Sequence, residues 1–108
     1  MASAKALQDF NSKVVSEITR LGAVNLRPRE YTLNTKAGIL YITLDSVEGP
    51  SKVFTVFSRF SEPQRASNLL LGLGLDEKLN IYSDKWNFHF WSEKECLETF
   101  VFCLNKIV

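Results

Sequence analysis

Apolar residues in the first part of the chain recur with the period of a helix. Between Ser3 and Leu21 they are three or four positions apart, at Leu7, Phe10, Val14, Ile18 and Leu21. This spacing gives a helix one apolar stripe and leaves the charged residues on the other side. Gly22 follows directly, which is typical of a helix C-terminus. The pattern predicts an amphipathic helix that packs on a sheet or on another helix.

After Pro28 the pattern changes to short segments rich in β-branched and aromatic residues. Three of them predict the strands of an antiparallel meander, at Tyr31–Asn34, Ile39–Leu44 and Val53–Phe60. The second has such residues on both faces, which predicts a central strand. In the third, alternation places Phe57 and Arg59 on one face, and Val56 and Phe60 on the other.

A second helix is predicted after the meander. Pro63 lies where a first helical residue is expected, and Ser61 with Gln64 has the spacing of a capping box. The helix should end near Leu71, because Gly72 follows. The next segment, GLGLDEK (72–78), lacks the spacing of a phosphate-binding loop and follows a helix instead of a strand.

The rest of the chain predicts two strands and a last helix. The strands are Leu79–Tyr82 and Lys85–Trp91, joined by a turn at 83–84. SEKE (92–95) is a capping box, and it precedes an apolar stripe that runs to the C-terminus at Leu97, Phe100, Leu104 and Ile107.

Taken together, the elements follow the order α-β-β-β-α-β-β-α. The fold class predicted is α+β, with an antiparallel sheet of about five strands and helices packed on one of its faces. Residues 1–108 are the length of one domain.

The charge balance argues against a partner recognised mainly through phosphates. Lys and Arg number 13 against 12 Asp and Glu, so the net charge is +1, whereas nucleic-acid-binding domains usually show a basic excess. The densest basic group is Arg27, Arg29 and Lys36, around the first predicted strand. We expect a solvated loop there rather than a phosphate site.

The sequence also predicts the setting of the protein. MASAKALQDF has no long apolar run, and no stretch approaches the length of a membrane helix. We therefore expect a cytoplasmic protein without membrane association. Cys96 and Cys103, seven apart on one helix, would lie about 10 Å apart along the axis, too far for a disulfide. Both are expected to be small buried residues in a reducing compartment.

Aromatic residues are concentrated in one strand, SDKWNFHFW (83–91). Trp86, Phe88 and Phe90 share a face by alternation, and we expect them to face the helices. Asn87, His89 and Trp91 share the other, with the mixed character of a half-exposed face. If other aromatic residues such as Tyr82 or Tyr41 lie there too, this face is a candidate contact surface.

Catalysis and metal binding are not favoured. His89, the only histidine, has no nucleophile motif such as GxSxG to serve. Cys96 should have a raised pKa among apolar neighbours, which would make its thiol inert. One His and two Cys also lack the spacing of a zinc site. We expect no enzyme activity, no catalytic residue, no cofactor and no metal.

Two stretches, VFSRFSEPQRAS (56–67) and IYSDKWNFHFW (81–91), with TKAGIL (35–40) before them, carry a family resemblance. The chain resembles a loose group of small proteins encoded by bacteriophages and prophages, with the pattern RF-x-x-P-x-x-A followed by YS-x-KWNFHF. Asp84 replaces the glycine of that turn. The resemblance covers about the middle half of the chain and implies a phage origin, hence a host cytoplasm, but no particular activity.

The leading hypothesis is a small non-enzymatic protein-binding module that blocks a host protein, such as a defence protein, sterically or allosterically. Its candidate partner-binding residues are Arg59, Tyr82, Lys85, His89 and Trp91. One alternative is a single-stranded nucleic-acid-binding protein that stacks bases on sheet aromatics. Another is a structural protein that self-associates, with Tyr31–Asn34 as an exposed edge strand of a homodimer.

Overall fold

A computed structural model describes residues 1–72, 81–82 and 85–108, with the backbone alone at 81, 82 and 85. Its three helices are α1 (Ala4–Arg20), α2 (Pro63–Gly72) and α3 (Glu93–Ile107). The Ser3 hydroxyl accepts a hydrogen bond from the Ala6 N–H and caps α1. The Ser92 hydroxyl accepts one from Glu95 and caps α3. Both predicted terminal helices are thereby confirmed.

Seven strand segments form one antiparallel sheet. They are β1 (Val24–Arg27), β2 (Glu30–Thr35), β3 (Gly38–Leu44), β4 (Phe54–Phe60), β5 (Ile81–Tyr82), β6 (Lys85–Trp86) and β7 (Phe88–Phe90). Their order across the sheet is β1-β2-β3-β4-β6-β5, and β7 also pairs with β4. Segments β6 and β7 are the predicted strand Lys85–Trp91, interrupted at Asn87. The predicted α+β class and the central position of β3 are confirmed.

One strand, β1, is not predicted by the sequence. It lies immediately before Pro28 and pairs with β2, opposite Thr32, Tyr31 and Glu30. Pro28 and Arg29 form the turn between the two strands, where Arg29 has a φ of 67°. The expectation that Tyr31–Asn34 forms an exposed edge is therefore wrong for its first half, because β1 pairs with Tyr31 and Thr32 and is itself the edge of the sheet there.

The core lies between the helices and one face of the sheet. Alternate residues of β3 and β4 are buried there, including Leu40, Ile42, Val56 and Phe60. The rings of Trp86 and Phe88 are fully buried in the same cluster. All three helices contribute, with the predicted stripe of α1 confirmed at Leu7, Phe10, Val14 and Ile18. The face predicted for Trp86, Phe88 and Phe90 is confirmed.

The tight connection between β2 and β3 lies against the two residues that precede α2. Gly38 has a φ of 91°, and a side chain on it would collide with the Glu62 carboxylate, just before α2. The Ser61 hydroxyl accepts a hydrogen bond from the Ile39 N–H at 3.1 Å. The predicted capping box of Ser61 is therefore wrong: the hydroxyl joins the start of β3 to the end of β4, and the helix starts at Pro63.

Among the described residues, no helix has both the length and the apolar character needed to cross a bilayer. The predicted turn at 83–84, residues 79–80 of a predicted strand and residues 73–78 of GLGLDEK lie outside the described residues.

Candidate partner-binding face

The sheet face opposite the helices is covered by no helix of the described residues, and we call it the open face. Antiparallel register aligns its side chains in rows across the strands. Val24 pairs with Thr32, Thr32 with Tyr41, and Tyr41 with Arg59. In the next row Glu30 pairs with Thr43, and Thr43 with Phe57. The open face comprises Val24, Leu26, Glu30, Thr32, Ile39, Tyr41, Thr43, Thr55, Phe57, Arg59, Asn87 and His89.

A groove of about 380 Å³ crosses the middle of the open face. The side chains that give it its chemistry are those of Leu26, Glu30, Tyr41, Thr43, Phe57 and Arg59. Thr43 is small and lies between the larger Glu30 and Phe57 in its row, so the surface dips there. A volume of this size is at the lower end of ligand pockets and fits one or two side chains of a partner.

Four of the nine large apolar side chains that are exposed among the described residues lie on the open face. Val24 is 64% exposed, Leu26 is 50% exposed, and Ile39 and Phe57 are each 39% exposed. Single exposed apolar residues are ordinary, but several on one face, bordered by polar groups, are typical of an interaction site.

An ion pair neutralises one side of the groove. The Arg27 guanidinium donates a hydrogen bond to the Glu30 carboxylate at 2.6 Å. That bond lowers the pKa of Glu30 and raises the pKa of Arg27. Arg29 belongs to the same basic group as Arg27, and it donates a hydrogen bond to the Leu44 carbonyl at 3.3 Å. Both arginines are therefore used in local structure around the β1–β2 hairpin.

Arg59 has no opposite charge within ion-pair distance among the described residues. Its guanidinium lies over the Tyr41 ring, 5.2 Å from the centroid. The nearby Glu62 carboxylate instead accepts a hydrogen bond from Arg65 at 3.3 Å. Arg59 thus remains exposed on the open face, held by a cation–π contact worth roughly 0.5–1 kcal/mol at such a site.

The structure does not bring all the predicted site residues together. The Nδ1 atom of His89 lies 3.1 Å from the Thr55 hydroxyl, and its ring contacts Phe57 edge-on. His89 therefore lies beside Phe57, which lines the groove, but does not itself line it. Trp91 is 76% exposed, but it follows Phe90, which pairs with Phe54. That register puts Trp91 about 20 Å from Arg59 along the strand direction, outside the groove.

For the other two predicted residues the structure gives the backbone alone. Tyr82 pairs with Lys85 across the β5–β6 hairpin, and Lys85 pairs with Arg59. Lys85 is thus at the register position next to Arg59. The side chains of Tyr82 and Lys85 lie outside what is described.

Thiol chemistry has no support in the geometry of α3. Both cysteines are buried, as predicted. The Cys96 thiol donates to the Phe54 carbonyl at 3.5 Å, and burial raises its pKa to about 12, with a smaller contribution from Glu95. A thiol in that state is a poor nucleophile. Within the described ranges, no three His, Cys, Asp or Glu side chains are placed to share a metal ion.

Of the six groove residues, sequence reasoning placed only Arg59 in the partner-binding set. It missed Leu26, Glu30, Tyr41, Thr43 and Phe57. The signal for Phe57 was present, since alternation placed it beside Arg59. Tyr41 was named only as a further aromatic residue that might join the face. Leu26 had no signal, because β1 was not predicted.

Comparison of the chain with protein-family models, with curated proteins and with solved structures found no match. Its function is therefore argued from the open face.

Proposed function

We propose that the chain is a small non-enzymatic module that binds a protein partner on its open face. The observation that carries the proposal is the group of exposed apolar side chains there, Val24, Leu26, Ile39 and Phe57. Apolar side chains next to a charge and a small groove give a partner both contact area and a point of orientation. The scaffold beneath them is a sheet, which holds such a site more precisely than a loop.

The resemblance to phage and prophage proteins supports the biological part of the proposal. One of the two stretches that carry it, VFSRFSEPQRAS, includes Phe57 and Arg59 of the groove. We propose a phage or mobile-element origin, action in the host cytoplasm, and a host protein, such as a defence protein, as the target. Occupation of the target's surface would block it sterically or allosterically.

A second candidate is the binding of single-stranded nucleic acid. Tyr41, Phe57 and Arg59 place two rings and a cation close together, and sheets that stack bases use such sets. The net charge of +1 weighs against it.

Capture of host proteins by matched variants tests the proposal. The immobilised protein is exposed to bacterial lysate, with and without nuclease, beside Phe57→Asp and Phe102→Asp. Phe102 on α3 is the control, because it is also an exposed phenylalanine but lies away from the open face. The Lys106 ammonium lies over its ring. We expect the wild type and the Phe102 variant to retain the same protein after nuclease treatment, and the Phe57 variant to lose it.

Three results would contradict the protein-binding proposal. If the Phe57 variant captured as much of the protein as the wild type does, the open face would not be the binding site. Retention that disappears with nuclease would favour the nucleic-acid candidate. No retention by a chain that sediments as a dimer would favour self-association. Circular dichroism spectra that match the wild type show that each variant is folded.

A further inference from the structure

We propose that the segment bound in the groove is an extended, acidic stretch of the partner, with a carboxylate at one position and an apolar side chain two residues away. The carboxylate pairs with Arg59, and the apolar side chain lies beside Phe57. The inference depends on the proposed protein-binding function and specifies the chemistry of the partner.

The charge on the partner follows from the charges on the open face. The described charged side chains that border the groove are Arg27, Glu30 and Arg59. Glu30 is neutralised by Arg27 at 2.6 Å, whereas Arg59 has no carboxylate within ion-pair distance in the described part of the chain. Among the described side chains that border the groove, Arg59 is therefore the one charge without an opposite charge beside it, and a carboxylate on the partner would complement it with a bidentate hydrogen bond.

The spacing on the partner follows from the strand. Arg59 and Phe57 are two residues apart on β4 and share the open face. Alternate side chains of a strand are separated by about 7 Å. An extended partner segment has the same separation between its own alternate side chains. Its acidic residue can therefore contact Arg59 while the second residue after it contacts Phe57. The expected partner sequence is Asp or Glu, then any residue, then Leu, Ile, Val or Phe.

A second copy of this chain does not fit the groove as well. The open face offers one described carboxylate near the groove, Glu30, and Arg27 already holds it. In a face-to-face contact of two copies, the carboxylate that the described residues near the groove offer to Arg59 is therefore already paired. A partner of different sequence, with a free carboxylate, avoids the conflict.

A nucleic-acid strand fits less well for a different reason. One face of Tyr41 is covered by the Arg59 guanidinium, and Phe57 has the His89 ring against it at 5.7 Å. Bases would have to displace these neighbours to stack on the rings.

Selection from a peptide library tests the inference without knowledge of the natural partner. A displayed random library of about twelve residues is selected on the immobilised protein, on Arg59→Glu and on Arg65→Glu. Arg65 is the matched control, an exposed arginine on α2 outside the groove. We expect the wild type and the Arg65 variant to enrich the acidic-x-apolar pattern. Arg59→Glu should enrich Lys or Arg in place of the acid.

A peptide with the enriched pattern then gives the size of the effect by fluorescence anisotropy. We expect Arg59→Glu to weaken its binding roughly tenfold or more, because a charge-assisted hydrogen bond becomes a repulsion. Arg65→Glu should leave its affinity within about twofold, since distant surface charges are screened.

Several results would overturn the inference. They are enriched peptides without an acid, no enrichment at all, equal binding to Arg59→Glu, and displacement of the peptide by oligothymidylate at low micromolar concentration. The lysate experiment shows whether only the acidic partner segment is wrong or whether protein binding on the open face is wrong as well. If Phe57→Asp still abolishes capture while the peptides lack the acid, the open face binds protein but the partner's chemistry is different.

Discussion

The two faces of the sheet are made from the same strands but have opposite properties. In β4, Val56, Ser58 and Phe60 are buried under the helices, while Phe57 and Arg59 are exposed on the open face. A single step along the strand thus separates a residue that holds the fold from one that is available to a partner. Substitutions on the open face should change recognition at little cost in stability, and those on the covered face should do the reverse.

The aromatic residues near the C-terminus divide in the same way. Trp86 stacks on Phe60 at 5.5 Å and contacts Phe88 at 5.1 Å, and Phe88 meets Phe100 edge-on at 5.0 Å. These rings fill the space between the sheet and α3. Trp91, a few residues later, is largely in solvent. The concentration of rings in SDKWNFHFW therefore has mainly a structural origin.

The largest predicted difference in stability is between the alanine variants of the two tryptophans. Trp86→Ala leaves a cavity in the core and should lower the free energy of unfolding by about 3–5 kcal/mol. Trp91→Ala removes an exposed ring and should change it by less than about 0.5 kcal/mol. Urea unfolding followed by circular dichroism measures both. A similar loss in the two variants would mean that the division of the rings between core and solvent is wrong.

The parts of the fold set by local patterns could be predicted. The stripe of α1, the serine cap of α3, and the alternation in β4 each follow from spacing within one element. Strand β1 could not be predicted in this way. It has four residues, all exposed, and it becomes a strand because Glu30–Thr32 of β2 offers it hydrogen bonds.

The candidate site was less accessible to sequence reasoning because it depends on register. Arg59 was named as a candidate, and alternation within its own strand assigned its face. Its contact with Tyr41, and the position of Phe57 next to Thr43, come from the pairing of β3 with β4. Residues fourteen to eighteen positions apart meet there, and no local spacing reports which of them pair.

Cys96 on the covered side predicts a loss of stability at alkaline pH. Its pKa is raised by burial to about 12 in the folded protein, from an ordinary value of 9.0. The unfolded chain therefore releases this proton first, and the free energy of unfolding should fall as pH rises from about 9 towards 12, by at most about 1.4 kcal/mol per pH unit.

The variant Cys96→Ala isolates this effect from the titration of lysines and tyrosines. Urea unfolding in reductant, repeated from pH 7 to pH 11, should show parallel curves for the two proteins below about pH 8. Above pH 9 the wild type should fall more steeply. Equal slopes throughout would show that the thiol is not held in its protonated form by the fold.

For Glu30 on the open face we expect the opposite pH dependence of the free energy of unfolding, with a loss of stability at acid pH. The hydrogen bond from Arg27 lowers its pKa below the ordinary value of 4.5, and Arg29 makes a smaller contribution in the same direction. The stabilisation is present above pH 4.5 and is lost as pH falls through the lowered pKa. NMR titration of the Glu30 carboxyl should show a clear rise of its pKa towards 4.5 in Arg27→Gln and a slighter rise in Arg29→Gln. No rise in Arg27→Gln would mean that the pair does not persist in solution.

Ser58 predicts the smallest effect, because it is a polar residue on the apolar side of β4. Its backbone N–H donates to the Asn87 amide oxygen at 3.3 Å, but its buried hydroxyl has no hydrogen-bond partner among the described atoms. The register places it opposite Trp86, whose indole N–H is in the same situation.

A buried hydroxyl without a partner costs free energy, so Ser58→Ala should leave the stability unchanged or raise it by up to about 1 kcal/mol. Urea unfolding at neutral pH measures the change, with Ser61→Ala as the control, since the Ser61 hydroxyl accepts the Ile39 N–H and its loss should be destabilising. A loss above about 1 kcal/mol in Ser58→Ala would mean that the hydroxyl is satisfied, as by a water shared with the Trp86 indole. The covered face would then contain a polar link between β4 and β6, and the contrast between the two faces would be one of burial but not of polarity.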